Sequence, residues 1–178
     1  MTRKNAKAHE QGREARGIPH RRRKYRPAKV RVLLVGESAP SAGTHYYFAN
    51  SKLFQAIRES ARRVYGAKTP AGLDFLPWAQ AHGLWLVDLA RFPVDDLGKA
   101  ERRAAAWAGV RGLAQRLRRS QPKFVVAVLT SIQGPVWEAV EQSGIEAEVT
   151  ALPFPSRRWE DFCSGLEHVL RRARRATG

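Results

Sequence analysis

Short apolar runs that alternate with amphipathic stretches constrain the fold of this chain more than any other feature. Four such runs, at 31–35, 84–87, 124–129 and 147–152, have the length and composition of buried strands. Strands that are joined by helices run parallel to one another, and the helices cover both faces of the sheet. The sequence therefore predicts a three-layer α/β/α sandwich with a central, mainly parallel four-stranded sheet.

Helices are predicted wherever apolar residues recur every three or four positions. The segments with this spacing are 51–65, 99–119, 135–142 and 159–175, and the Pro-containing stretch 70–77 is predicted to be a loop. In the second helix, five residues are predicted to face the core: Ala100, Ala104, Trp107, Ala114 and Leu117. In the last helix, Cys163 lies on the apolar face, where a packed thiol is expected.

Positive charge is concentrated at the start of the chain. The formal net charge is +16, and residues 1–31 hold 12 Lys and Arg against two Glu, a net of +10. Because this segment has almost no apolar residues, the sequence predicts a basic disordered tail over 1–29, ahead of an α/β domain over 30–178. Four consecutive cations in it suit sequence-independent contact with DNA phosphates: Arg21, Arg22, Arg23 and Lys24. The alternative is a tail that only keeps the protein in solution.

Composition excludes several classes of protein. No run approaches the roughly 20 apolar residues of a transmembrane helix, and no apolar stretch follows the first charges as in a secretory signal. Cys163 is the only cysteine, which excludes a disulfide, an iron–sulfur cluster and a cysteine-rich zinc site within one chain. We therefore expect a cytoplasmic monomer without metal, other cofactor or membrane partner, associated with the nucleoid through DNA.

Polar and aromatic residues follow three of the predicted strands. The first strand leads into G-E-S-A-P at 36–40, the second ends at Asp88, and the last leads into L-P-F-P-S-R-R-W at 152–159. The carboxyl ends of parallel strands meet at one edge of a sheet, where ligands bind in open α/β folds. These three segments are therefore predicted to share a site.

The same segments resemble the motifs of the uracil-DNA glycosylase superfamily, and the resemblance spans about residues 30–175. The first family motif is written G-Q-D-P-Y-H, G-E-A-P-G, G-M-N-P-G or G-L-A-P-A in different branches, and G-E-S-A-P looks closest to G-E-A-P-G. Tyr47-Phe48 and Lys52-Leu53 resemble the P-F-V-G and K-L-L of that branch. Asp88 with R-F-P at 91–93 stands where the family has a strand-end Asn before K-C-R-P-P, and F-P-S-R at 154–157 resembles H-P-S-P.

This resemblance implies a monofunctional DNA glycosylase, which flips a nucleotide out of the DNA and hydrolyses its N-glycosidic bond to leave an abasic site. Positive charge develops on the sugar and negative charge on the base, so the reaction needs a carboxylate near the sugar and donors near the base. Glu37 is the implied carboxylate. Ser38 and His45 are further catalytic candidates, and either of them or Asn50 could hold the water.

The base-binding and DNA-binding residues follow from the same comparison. Tyr47 or Phe48 would stack on the flipped base, and three more residues complete the predicted base-binding set: Asn50, Asp88 and Phe154. The predicted DNA contacts of the domain are Arg91, Ser156, Arg157, Arg158 and Trp159. Other interpretations stay open, because Glu37 also fits a polar surface turn and the two aromatics also fit an ordinary core.

Four departures from the family argue against plain uracil as the substrate. Phe154 replaces the His that donates to the uracil anion, and Ser38 stands where branches carry Asp or Asn. Pro40 replaces a Tyr that blocks groups on pyrimidine C5. Asp88 replaces the Asn that reads uracil, and an ionised carboxylate only accepts hydrogen bonds, which suits the N4 amine of cytosine. We predict excision of a modified pyrimidine, such as a C5-substituted cytosine in phage DNA, as an anti-phage defence.

Three alternatives remain. The first is uracil excision in base-excision repair, and the second is a DNA-binding module that has lost catalysis. The third is a serine hydrolase, because G-E-S-A at 36–39 resembles the nucleophile elbow G-x-S-x-G, and Asp88 and His168 follow Ser38 in the matching order. Pro40 stands where the second Gly of that elbow belongs.

Overall fold

Four parallel strands form one sheet in the computed structural model, which describes residues 17–41 and 43–176. The strands are β1 (Val32–Gly36), β2 (Leu84–Asp88), β3 (Phe124–Ala127) and β4 (Glu148–Ala151), in the spatial order β2-β1-β3-β4. In β1, Val32 and Leu34 pack on one face of the sheet, and Leu33 and Val35 pack on the other. Burial on both faces explains why this strand is apolar throughout.

Helices cover both faces of the sheet. The helices that contribute to one core are α1 (residues 17–24), α2 (Lys52–Tyr65), α3 (Phe75–Ala81) and α7 (Trp159–Arg175). Those that contribute to the other are α4 (Lys99–Ala108), α5 (Val110–Ser120) and α6 (Gln133–Ser143). The predicted three-layer α/β/α sandwich is therefore confirmed, as is the packed position of Cys163, whose side chain is fully buried.

The single helix predicted over 99–119 is wrong, since α4 ends at Ala108 and α5 begins at Val110. Gly109 lies between them because a Cβ at this position would come within 2.3 Å of the Leu89 carbonyl oxygen. The chain thus passes against the loop after β2 at this point. Ala100, Ala104 and Trp107 are exposed rather than buried, with Trp107 at 43%.

The loop predicted over 70–77 is also wrong in its second half, because α3 begins at Phe75 and includes Pro77. Pro77 falls in the first helical turn, where its missing N–H has no intrahelical partner to lose. Phe75 and Leu76 are fully buried, and their burial stabilises the start of this helix. The prolines at 70 and 77 had indicated a loop here instead.

The predicted disorder over 1–29 does not hold for residues 17–29, whereas residues 1–16 lie outside the described residues. Residues 17–24 form α1, and Ile18 is 3% exposed in the core. Gln80 Nε2 donates to the carbonyl oxygens of Lys24 and Arg26, at 3.0 and 2.9 Å. One buried apolar side chain and hydrogen bonds from the domain are therefore enough to dock this basic segment.

The strand order places the candidate residues together. β1 pairs with β2 on one side and with β3 on the other. The chain therefore adds β2 on one side of β1 and then crosses to the other side for β3 and β4, which places a topological switch point between β1 and β3. In open α/β sheets the crevice at such a switch point, outside the carboxyl ends of the strands, is where ligands bind.

Candidate active site at the carboxyl edge of the sheet

A cavity of about 820 Å³ lies at this edge. Its walls come from the carboxyl ends of the strands and the loops that follow them, and they include Glu37 and His45 after β1, Asp88 at the end of β2, Thr130 after β3 and Phe154 after β4. This volume lies within the range of about 300–1,000 Å³ that is typical of small-molecule sites. The structure thus brings together the three segments that the sequence predicted to meet.

Gly36 and Asp88 are register partners at the ends of β1 and β2. A Cβ on Gly36 would lie 3.0 Å from Asp88 Oδ1, so glycine leaves room for this carboxylate. Two further contacts tie the loops together: Ala90 N donates to Glu37 O at 2.8 Å, and Val94 N donates to Ser38 Oγ at 3.3 Å. The loop after β1 and the segment that follows Asp88 are therefore joined by hydrogen bonds into one wall of the cavity.

Glu37 forms an ion pair with Arg102 of α4. Arg102 Nε lies 3.3 Å from Glu37 Oε1, and Arg102 Nη2 contacts Oε2. The hydrogen bond from Arg102 to Glu37 also raises the pKa of the Arg102 guanidinium. With a side chain only 14% exposed, Glu37 is not the free surface residue of the alternative interpretation. It is a fixed carboxylate on the cavity wall.

Asp88 and His45, which are buried, form with the partly exposed Arg22 a group that we call the floor cluster. Arg22 Nη2 contacts Asp88 Oδ2, and His45 Nε2 lies 3.6 Å from the same oxygen. Burial raises the pKa of Asp88, but the nearby His45 ring and the charge of Arg22 outweigh burial, so the pKa lies below its usual value. Asp88 is therefore held as a carboxylate.

The tautomer of His45 follows from its neighbours. Tyr47 N donates to His45 Nδ1 at 3.3 Å, so in the neutral ring the proton sits on Nε2, which faces Asp88. His45 N in turn donates to Asn50 Oδ1 at 2.9 Å, and Asn50 Nδ2 donates to Gly43 O at 3.2 Å. Asn50 thus lines the cavity and also braces the loop that presents His45.

The aromatic residues are arranged differently from the prediction. Tyr47 is 1% exposed, its hydroxyl donates to Leu86 O at 2.7 Å, and it does not line the cavity. Phe48 also lies outside the cavity wall and packs under the Arg21 guanidinium, 5.1 Å from the ring centroid. The assignment of these two rings to base stacking is therefore wrong, because α1 and the core cover them. Tyr46 and Phe154 line the cavity instead.

Three positively charged side chains line the mouth of the cavity: Lys52, Arg157 and Arg158. We call them the rim cations, and all three residues are exposed. Ser156 lines the cavity beside them, whereas Arg91 and Trp159 are exposed but lie outside its wall. The DNA contacts predicted for the loop after β4 therefore stay predictions. Ser156, Arg157 and Arg158 are exposed at the cavity, where a contact with DNA is sterically open to them.

The predicted DNA contacts in the basic segment divide into two groups. Arg23 and Lys24 are exposed, as a phosphate contact requires. Arg21 Nη1 instead donates to Tyr47 O at 3.2 Å, and Arg22 reaches Asp88. The phosphate-binding role predicted for Arg21 and Arg22 is thus corrected, because both side chains are engaged by the protein itself.

The serine hydrolase alternative receives no support from the site. Asp88 is paired with His45 and Arg22, whereas His168 is exposed on α7 and does not line the cavity. Ser38 Oγ accepts a hydrogen bond from Val94 N and so braces the loop after β2. The structure therefore does not bring His168 to the cavity wall with Ser38 and Asp88.

Sequence reasoning missed several cavity residues that belong to no recognisable motif. Arg102 is one of many arginines, and only the direction of α4 brings it to Glu37. Asp95 Oδ2 accepts from Ser41 N at 2.6 Å, a contact between segments 54 positions apart. Tyr46 could have been found from its place beside Tyr47 and Phe48, since one ring of such a cluster is free to face a different way.

Within residues 17–41 and 43–176, no three His, Cys, Asp or Glu side chains lie close enough to hold a metal ion together. Nor is any helix in this part of the chain long and apolar enough to cross a membrane. The fold and site define a three-layer α/β/α protein with a carboxylate-lined, cation-rimmed cavity at the carboxyl edge of its sheet. Comparison with models of known protein families gives no match, and comparison with curated proteins gives none either.

Proposed function

We propose that this protein is a monofunctional DNA glycosylase, which takes a flipped nucleotide into the cavity and hydrolyses its N-glycosidic bond. The observation that carries the proposal is the distribution of charge in the cavity. Three carboxylates, Glu37, Asp88 and Asp95, line its wall, and the rim cations surround its mouth. Cations at the mouth suit the phosphates on either side of a flipped nucleotide, and carboxylates inside suit the sugar and the base edge.

Glu37 is the group that we assign to the sugar. As the glycosidic bond breaks, positive charge develops on the sugar, and a carboxylate that is already fixed in place stabilises it without reorganisation. Arg102 fixes Glu37 through both of its carboxylate oxygens. The same carboxylate can orient the water that attacks the sugar.

Asp88 is the group that we assign to the edge of the base. Its Oδ2 is occupied by Arg22 and His45, whereas Oδ1 accepts no hydrogen bond from the described residues. Tyr46 and Phe154 supply aromatic surface along the cavity wall. An accepting group between aromatic surfaces suits a base with an exocyclic amine, so we propose a C5-substituted cytosine, foreign to the host as in phage DNA, as the substrate.

The test is base release from oligonucleotides that carry one uracil, one 5-hydroxymethylcytosine or one glucosylated 5-hydroxymethylcytosine, with alkali to cleave abasic sites. We expect release of a modified cytosine, and a loss of about 10²- to 10⁴-fold in single-turnover rate for Glu37→Gln. Glu141→Gln, an exposed change on α6, is the matched control and should leave the rate unchanged. Release of uracil alone would favour base-excision repair and sink the cytosine assignment.

One observation favours a second candidate, a DNA-binding module without catalysis. Arg102 engages both oxygens of Glu37, so an attacking water must share this carboxylate with a cation. If wild-type protein binds the oligonucleotides and releases none of the three bases, this second function replaces the first.

A further inference from the structure

We propose that Arg22, which α1 delivers to the floor cluster, is a positioning residue that holds Asp88 as an accepting group for a base with an exocyclic amine. The N-terminal basic segment would then set base preference in addition to any contact with phosphates. This inference rests on the proposed glycosylase function. It assigns to α1 a role that neither its charge nor its composition suggests.

The backbone of Arg22 is fixed by contacts that do not involve its side chain. Trp85 Nε1 donates to Arg22 O at 3.1 Å, and Ile18 is buried in the core one turn earlier. Gln80 donates to the carbonyl oxygens of Lys24, the last residue of the helix, and of Arg26 beyond it. A change confined to the guanidinium therefore leaves α1 docked.

The guanidinium of Arg22 is committed to Asp88. Arg22 Nη2 contacts Asp88 Oδ2, and the two side chains are 20% and 4% exposed. Arg22 Nε is buried and has no hydrogen-bond partner among the described residues. A buried donor that stays unpaired carries a free-energy cost. This indicates that the contact with Asp88 determines the orientation of the Arg22 guanidinium, even though that orientation leaves Nε without a hydrogen bond.

The other groups around Asp88 act in the same direction as Arg22. His45 Nε2 shares Oδ2 with Arg22, and Arg116 Nη1 donates to the Asp88 carbonyl oxygen at 2.9 Å. A protonated Asp88 would donate a hydrogen bond and match a carbonyl edge such as that of uracil. An ionised Asp88 only accepts, which matches the amine that cytosine carries at C4 and not the carbonyl that uracil carries there. By keeping Asp88 ionised and by occupying Oδ2, Arg22 would decide which edge the pocket reads through Oδ1.

The experiment compares two oligonucleotides that carry 5-hydroxymethylcytosine or 5-hydroxymethyluracil at one position, two bases that differ in the group at C4, amine or carbonyl, and in the proton on N3. We expect Arg22→Gln to lower the ratio of the two single-turnover rates by about tenfold, and Arg22→Lys to restore part of it. Arg23→Gln removes the same charge from an exposed position on the same helix and should leave the ratio unchanged. Equal ratios in Arg22→Gln and Arg23→Gln would overturn the proposal.

A second measurement requires no substrate. The titration midpoint of Asp88, followed by the carbon-13 shift of its carboxyl group, should rise by about one pH unit in Arg22→Gln and stay unchanged in Arg23→Gln. An unchanged midpoint in Arg22→Gln overturns positioning by Arg22, whichever base is released. If wild-type protein releases neither base, the proposed function fails, and the midpoint still decides whether Arg22 controls Asp88.

Discussion

At the floor of the cavity, Asp88 is 3% exposed and contacts both Arg22 and His45. At the rim, in contrast, Arg157 and Arg158 are exposed. Of these two, only Arg158 has an ionic partner among the described residues, and that partner is Asp161. The floor cluster is largely buried and its side chains contact one another, so its charges act at short range on a bound group. The rim cations are hydrated and screened, so they act on affinity and association rate. The contrast indicates that discrimination between bases belongs to the floor and attraction of a polyanion belongs to the rim.

The largest expected effect comes from removing the carboxylate of the floor cluster. Asp88→Ala should lower the free energy of unfolding by about 3 kcal/mol, because it leaves Arg22 and His45 without their buried partner. Urea unfolding measures this loss. Asp161→Ala at the rim breaks an exposed pair and should cost about 0–1 kcal/mol. Equal losses in the two variants would remove the distinction between floor and rim.

The next effect tests whether Gly36 makes room for Asp88. Gly36→Ala places a methyl group 3.0 Å from Asp88 Oδ1 and should cost about 1–3 kcal/mol in unfolding free energy. Gly112→Ala in α5, where a Cβ meets no atom within 4 Å, is the control and should instead stabilise the protein by about 0.5–1 kcal/mol. Two changes of the same sign would show that the close approach at Gly36 carries no cost.

A smaller effect is expected in acid. The pKa of Asp88 is lower in the folded protein than in the unfolded chain, so its contribution to stability is present above the unfolded pKa, about 3.9, and is lost as the pH falls through the folded value. The stability difference between wild type and Asp88→Asn should therefore shrink below about pH 4. Unfolding free energies measured across this range test the sign. A difference that grows in acid would contradict an ionised Asp88.

The rim cations should have the smallest effect on stability and a clear one on binding. Arg157→Ala should change the unfolding free energy by less than about 0.5 kcal/mol, since its side chain is exposed. If Arg157 contacts one phosphate, the slope of log K against log salt concentration should become shallower by about 0.9. Arg119→Ala, an exposed change on α5 outside the cavity wall, provides the matched loss of charge and should leave the slope unchanged.

The sequence predicted what depends on periodicity and failed where a tertiary contact decides. Because β1 and β3 are buried on both faces, each is a continuous apolar run that can be recognised in the sequence. The position of Glu37, Asp88 and Phe154 at or after strand ends predicted that they lie close together. Tyr47 and Phe48 could not be assigned, because whether an aromatic ring faces a cavity or a core depends on α1, which was predicted to be disordered. Four consecutive cations in the sequence predicted one phosphate-binding cluster. In α1, however, the Arg22 side chain contacts Asp88, whereas the Arg23 side chain is exposed to solvent.

The most direct test of the account is a crystal structure of Glu37→Gln bound to a duplex that carries one 5-hydroxymethylcytosine. The quantity to measure is the distance from the N4 amine of that base to Asp88 Oδ1. We expect the base to lie flipped inside the cavity, with this distance in the hydrogen-bonding range of about 2.7–3.2 Å. A base that remains stacked in the duplex, or one that enters the cavity with its amine turned away from Asp88, would contradict the account.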